Sequence, residues 1–196
     1  MKVKLTFTEE ALGTASANPA LHSEYIASNA PDAKSKKEEV EALGTDEVEK
    51  KAMTIFPRTE DGVPFIWDYQ IKGFFKDACS MKRRVPKSLS SKLTAHKKII
   101  DGLIFVDERR IPLMMPAGKK VGNCQRPLRA QTAQGERVAL ANSETVPIGT
   151  TIEFNINILD KGHEKVVQEW LDYGILRGLL QWRNSGKGRF SWAMVT

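Results

Sequence analysis

The stretch Thr151-Ile-Glu-Phe-Asn-Ile-Asn-Ile158 alternates without a break. Ile152, Phe154, Ile156 and Ile158 fall on one side, and Thr151, Glu153, Asn155 and Asn157 on the other. A period of two with one polar side predicts a half-buried strand, and a solvated sheet face argues for antiparallel pairing. Downstream, Glu164 to Leu176 has helical spacing, with Val167, Trp170, Leu171 and Ile175 sharing a side. After it comes Gly178-Leu-Leu-Gln-Trp182-Arg183-Asn184-Ser185-Gly186-Lys187-Gly188-Arg189, then a last strand with Phe190, Trp192 and Met194 inward.

That loop carries glycines and cations and no acid; Asp172 is the last acidic residue of the chain. Glycine lets backbone N–H groups approach phosphate oxygens closely, so the loop reads either as a phosphate cradle or as a plain helix-to-strand turn.

Upstream, Lys2-Val-Lys-Leu-Thr-Phe-Thr8 repeats the alternation, with Val3, Leu5 and Phe7 inward. Residues 12–33 read as a long loop. Ser35 and Glu38 form a capping box, Gly44 interrupts, and Thr45 can open a second helix, which makes about 34–52 an acidic helical insertion. Glu60-Asp61-Gly62 is a turn. From Asp68 the spacing predicts a helix that buries Ile71, Phe74, Phe75 and Ala78 and presents Lys72 and Lys76. Residues 82–98 are a cationic connection with room for a short helix, and Ile100–Val106 reads as a strand. About 112–137 is an irregular basic insertion, either a hairpin-like excursion or a segment ordered by a ligand. Residues 143–149 are a turn-bearing lead into the strand at 151.

The coarse order is strand, helix, strand, strand, helix, strand. That is an α+β, ferredoxin-like split βαβ arrangement, used also by RNA-recognition domains, in a single domain over 1–196 with the two insertions.

Of 196 residues, 41% are hydrophobic and 28% charged, a globular composition. No apolar run is long enough for a bilayer and the N-terminus lacks a secretory apolar region, so a cytoplasmic location is expected. Cys79 and Cys124 fit no metal or redox motif and are expected as buried or free thiols. The net charge of +6 is unevenly spread. Residues 1–62 hold eight Lys/Arg against twelve Asp/Glu, a net of −4, which leaves +10 for the remainder. Residues 70–98 hold nine Lys/Arg and one acid, and 109–137 hold seven and one. Charge segregated in this way points to a basic face, for which nucleic acid is the commonest partner.

The sequence resembles the RAMP superfamily, the repeat-associated proteins that form backbone and processing subunits of CRISPR effector complexes. The resemblance rests on Pro64–Cys79, where Ile71-Lys72-Gly73 and Lys76 match the second half of the family's Ile-Pro-Gly-Ser-Ser-Leu-Lys-Gly-Ala-Leu-Arg. Trp67-Asp68-Tyr69-Gln70 stands where that motif has Gly-Ser-Ser. It rests further on Arg126-Pro-Leu-Arg129 through Gly135 with Glu144–Phe154, and on the loop from Gly178 to Phe190, most tightly Ser185–Arg189. Leu180 stands where such loops often have glycine. The order of these motifs is similar to that of single-domain backbone subunits of type III-like complexes.

The resemblance implies a non-catalytic subunit that holds guide RNA by its phosphates in a ribonucleoprotein, alongside other subunits or copies of itself. With no His/Cys cluster, HExxH, Walker loop or bilayer-length apolar run in the sequence, no cofactor, metal or membrane partner is expected. The RNA-binding residues it implies are Lys72, Gly73, Lys76, Trp182, Arg183, Ser185, Gly186, Lys187, Gly188 and Arg189. Trp67, Tyr69 and Trp182 are available to stack on bases. Two alternatives stand beside this reading. One is a metal-independent endoribonuclease, for which His22 or Asp32 in the first loop are the catalytic candidates. His96 reads instead as a phosphate contact and His163 as an ordinary surface residue. The other is a protein-interaction module that uses the acidic 34–51 section to mimic or block a CRISPR subunit.

Overall fold

The computed structural model describes residues 1–17, 53–132 and 135–195. The capping box at Ser35, the break at Gly44, the acidic insertion, His22 and Asp32 all lie outside the described residues. The chain divides into two compact units: Met1–Ala11 with Pro57–Lys120 and Val146–Thr196, and Leu12–Phe56 with Val121–Thr145.

The first unit is built on four strands: β1 (Lys2–Phe7), β6 (Ile104–Val106), β10 (Thr151–Ile158) and β11 (Phe190–Met194). They lie side by side in the order β11-β1-β10-β6, and every pairing is antiparallel. Alternation fixes the register. Val3 pairs with Phe154, Leu5 with Ile152, and Phe7 with Phe190, so the apolar set shares one face. The other face carries Lys2, Lys4, Glu153, Asn155, Asn157 and, on β6, Phe105. Glu153 sits 3.6 Å from Lys2 and 3.4 Å from Lys4 there.

Helices α1 (Asp68–Lys82), α2 (His96–Leu103) and α3 (Glu164–Arg177) complete this unit. The residues expected on the inner side of α1 are all buried, and Cys79 joins them. Phe74 meets Phe190 edge-on at 5.2 Å, and Phe75 packs against Trp170 at 5.6 Å. A two-stranded ribbon, β5 (Phe65–Trp67) with β7 (Arg110–Pro112), leads into α1. The Glu60–Gly62 turn is present, with the Gly62 N–H bonded to the Thr59 carbonyl.

Several expectations are corrected here. Ile100–Leu103 is the end of α2, and the strand is only Ile104–Val106. A short apolar run suits either period, and α2 gains side-chain partners on α1. Ile175 is 53% exposed; Gly174, one turn after Trp170, takes the inward position against the Phe190 ring instead. Met194 lies at the end of an edge strand and is exposed.

The second unit carries a sheet of β2 (Ala11–Leu12), β3 (Ala15–Ser16), β4 (Thr54–Ile55), β8 (Gly122–Thr132) and β9 (Gly135–Val146). Its order is β2-β9-β4-β3, with β8 paired to β9. Of the two alternatives for 112–137, the hairpin-like excursion is the one observed: β7 ends at its start, and a long antiparallel hairpin runs from Gly122 onward. Ser143–Val146 belongs to β9, and the expected turn follows it at Ile148–Gly149, with the Thr150 N–H bonded to the Pro147 carbonyl. Short strands interrupt the start of the expected first loop. Inside this unit Ser143 Oγ receives a bond from buried Arg126 at 3.0 Å and lies 2.7 Å from Thr54 Oγ1. Arg126 thus serves a buried polar cluster rather than an exposed basic face.

Both cysteines are free. Burial pushes the Cys79 thiol above its ordinary pKa. No helix among the described residues is long and apolar enough to cross a membrane.

Candidate nucleic-acid interface

Helical spacing puts Tyr69, Lys72, Gly73, Lys76, Ser80 and Arg83 on one stripe of α1, opposite its buried face. Helix α2 runs alongside in the opposite sense. Asp101 of α2 accepts a 2.6 Å ion pair from Lys76, and its carbonyl accepts from Lys72 Nζ at 3.2 Å. The Lys76 hydrogen bond, with the charges of Lys76 and Lys72, holds the Asp101 carboxyl below its ordinary pKa. Lys72 also lies over the Phe105 ring at 4.7 Å. The two lysines that the sequence singles out are thereby oriented, yet still reach solvent. Above Gly73 there is open space, with nothing within 4 Å of where a Cβ would stand.

One turn further, His96 lies 3.0 Å from both Ser80 Oγ (by Nε2) and Arg83 Nη1 (by Nδ1). A guanidinium only donates, so Nδ1 is the acceptor and the proton sits on Nε2, directed at Ser80 Oγ. Ser80 in turn donates to the Lys76 carbonyl at 2.7 Å. Burial first, then the Arg83 and Lys97 charges, lower the His96 pKa and favour this neutral form.

The connection over 82–98 is anchored. Glu169 of α3 accepts from the N–H groups of Leu89 and Ser90 and from Ser90 Oγ, which itself accepts from Trp170 Nε1 at 2.9 Å. Ser88 Oγ donates to the Lys82 carbonyl. On this frame Lys82, Arg83, Arg84, Lys87, Lys92, Lys97 and Lys98 enter no ion pair among the described residues, and all but Lys82 are exposed. Sequence reasoning counted these cations but named none as a site; the signal was the run of nine Lys/Arg around one acid.

The glycine-rich loop is arranged differently from an open cradle. Gly178 ends α3 with φ 77°, and a Cβ on it would stand 2.5 Å from the Lys187 carbonyl oxygen. The N–H groups of Leu179, Ser185, Gly186 and Gly188 are bonded to carbonyls of Gly188, Trp182, Arg183 and Glu10. Lys187 pairs with Glu10 at 2.7 Å. Arg183 and Arg177 both donate to Asp77, at 2.9 and 2.8 Å, and Arg177 also reaches Asn184 Oδ1. Asp77 correspondingly raises the Arg177 pKa. Arg189 is exposed, with its guanidinium beside Gly186. Ser185 is exposed, and Trp182, in a left-handed conformation, is 38% exposed. Leu180, the position where such loops often have glycine, has φ 69°.

His163 is half-buried, with Nδ1 3.1 Å from Asp160 Oδ2, and so is not an ordinary surface residue.

No protein-family model matches the sequence, and no curated protein matches it either. Solved structures do match in shape. All of this chain superposes on 58% of a chain in the cryo-EM structure of a Type III-B Cmr-beta complex bound to cognate target RNA, at a TM-score of 0.55 and 12% identity. It spans 100% of itself and 90% of a chain of a Type IV-B CRISPR complex, at a TM-score of 0.48 and 9% identity. Against Cmr6 from Pyrococcus furiosus the coverage is 97% of each chain, the TM-score 0.45 and the identity 11%. The protein is therefore a mixed α+β chain that shares its fold with a chain of the type III-B complex and is a little over half that chain's length.

Proposed function

We propose that this protein binds RNA along its phosphates as a non-catalytic backbone subunit of a CRISPR-like ribonucleoprotein. The observation that carries this reading is the anchored cationic segment over 82–98, whose Lys and Arg side chains lack acidic partners among the described residues. It continues the α1 stripe of Lys72 and Lys76. Cations held near one another without counter-charges raise the local potential and favour a polyanion, with affinity that falls steeply with salt. The shared fold with a chain of an RNA-bound complex supports the same reading. In it, the first unit is a ferredoxin-like split βαβ body, a reading supported by the antiparallel order β11-β1-β10-β6 with α1 and α3 between the strands. The β8–β9 hairpin is an excursion from that body. Within the loop, Arg189, Ser185, Gly186 and Trp182 are the reachable members, while Arg183 and Lys187 contribute from positions fixed by Asp77 and Glu10.

The test is binding of a labelled single-stranded oligoribonucleotide by the full chain at a series of salt concentrations, together with analysis of nucleic acid that co-purifies. A steep loss of affinity with salt is expected. Absence of binding at low salt would overturn the proposal and leave a protein partner as the alternative.

A further inference from the structure

At the N-terminal end of α1, one turn before Lys72, the first unit carries two aromatic side chains outside its core, Trp67 and Tyr69. Trp67 and Tyr69 stack with ring centroids 6.2 Å apart and planes 15° from parallel. Trp67 also meets the Phe65 ring edge-on at 4.9 Å, and Phe65 is buried, so the cluster is rooted in the β5–β7 ribbon. The ribbon register pairs Trp67 with Arg110. The Arg109 guanidinium lies 5.1 Å from the Trp67 centroid and 5.7 Å from that of Tyr69; Arg110 lies 5.8 Å from Trp67 and 5.6 Å from Phe65. Arg109 is fixed by an ion pair with Asp68, and the Trp67 N–H is capped by Gln70 Oε1 at 2.8 Å. Yet Tyr69 is 54% exposed, and both arginines are exposed.

The geometry points to a nucleobase-stacking subsite at Tyr69 and Trp67, walled by Arg109 and Arg110, that takes an unpaired base of single-stranded RNA. A stacked pair of rings, with Tyr69 more than half exposed and guanidinium groups beside it, suits a planar π system whose backbone is anionic. Along the helix, at about 1.5 Å per residue, Lys72 stands about 4.5 Å beyond Tyr69 and Lys76 about 10 Å beyond it, so the backbone leading away from a stacked base along α1 meets cations. The space above Gly73, between these lysines, is open. The solvent face of the four-stranded sheet offers no comparable platform: of its aromatic side chains only Phe105 faces that way, and Lys72 lies over its ring. Arg110 enters no ion pair among the described residues, so the cluster carries net positive charge and selects an anionic polymer over a neutral apolar surface. The inference rests on the RNA-binding reading above.

The experiment compares Tyr69→Ala, Tyr69→Phe and Arg84→Gln in the full chain. Two probes are used, a labelled single-stranded oligoribonucleotide and a length-matched inorganic polyphosphate. Tyr69→Ala is expected to weaken the oligoribonucleotide by about 5- to 150-fold, leaving its salt dependence and polyphosphate binding unchanged. Tyr69→Phe, which keeps the ring, is expected to hold the original affinity. Arg84→Gln should weaken both probes. If Tyr69→Ala binds the oligoribonucleotide as tightly as the original protein while Arg84→Gln does not, the stacking subsite is overturned and RNA binding stands. If the original protein binds neither probe, both readings fall, and an acidic protein partner becomes the occupant to seek for the cluster.

Discussion

Leu179 and Gly188 lie back to back. The Leu179 N–H donates to the Gly188 carbonyl at 2.8 Å, and a Cβ on Gly188 would stand 2.0 Å from the Leu179 carbonyl oxygen. Gly188 also has φ 72°. The glycines that the sequence marks as a phosphate cradle are thus first a device for closing the loop on itself. Gly188→Ala is expected to destabilise the protein by about 2–4 kcal/mol, combining left-handed strain with a backbone clash. Gly186→Ala, whose close neighbour is the flexible Arg189 guanidinium, should cost about 1–2 kcal/mol. Urea denaturation of the two variants checks the order.

Gly73 is the opposite case. It is exposed in the interior of α1 with open space around it, so Gly73→Ala should stabilise the fold by about 0.5–1 kcal/mol. If the RNA backbone comes close there, the same variant weakens RNA binding while raising the urea midpoint. Measuring both separates a glycine kept for the fold from one kept for a ligand.

Asp77 joins α1 to the end of α3 and to the loop through Arg177 and Arg183. These side chains are 20–29% exposed, so solvent screens the loss when the carboxylate goes. Asp77→Asn should cost about 1–2 kcal/mol, less at high salt, read from urea denaturation at two ionic strengths.

His96 has a folded-state pKa below its ordinary value of 6.5. Between that value and the lower folded one, the unfolded chain binds a proton that the folded chain refuses. Stability therefore rises with pH through this window and is lost as pH falls below about 6.5. His96→Gln should flatten that part of the profile, seen as a smaller change in urea midpoint between pH 7.5 and 5.

Neutralising a cation that has no ion pair among the described residues and one that has should separate two roles. Arg84→Gln and Lys97→Gln are each expected to lower the salt slope of RNA binding by about 1 with little change in stability. Lys187→Gln, whose partner is Glu10, should change RNA binding less and cost about 0.5–1 kcal/mol of stability. Titrations at several salt concentrations, paired with denaturation, test the contrast.

The sequence by itself determined β1, β10, β11, α1, the Glu60–Gly62 turn, the inner side of α3 up to Trp170 and Leu171, and the presence of a basic segment at 70–98. These follow from periods of 2 and 3.6 and from local charge counts, which need no knowledge of distant neighbours. Only the tertiary structure decided the rest. The run from Ile100 to Val106 is divided between helix and strand because α2 finds partners on α1, His96 with Ser80 and Asp101 with Lys76. Lys187 and Arg183 are held by acids 177 and 106 residues away, and no local pattern reveals that separation. The glycine loop is closed and the 82–98 segment is open for the same reason. Whether a cation is free to meet a phosphate depends on which carboxylates the fold brings beside it, and long-range packing sets that.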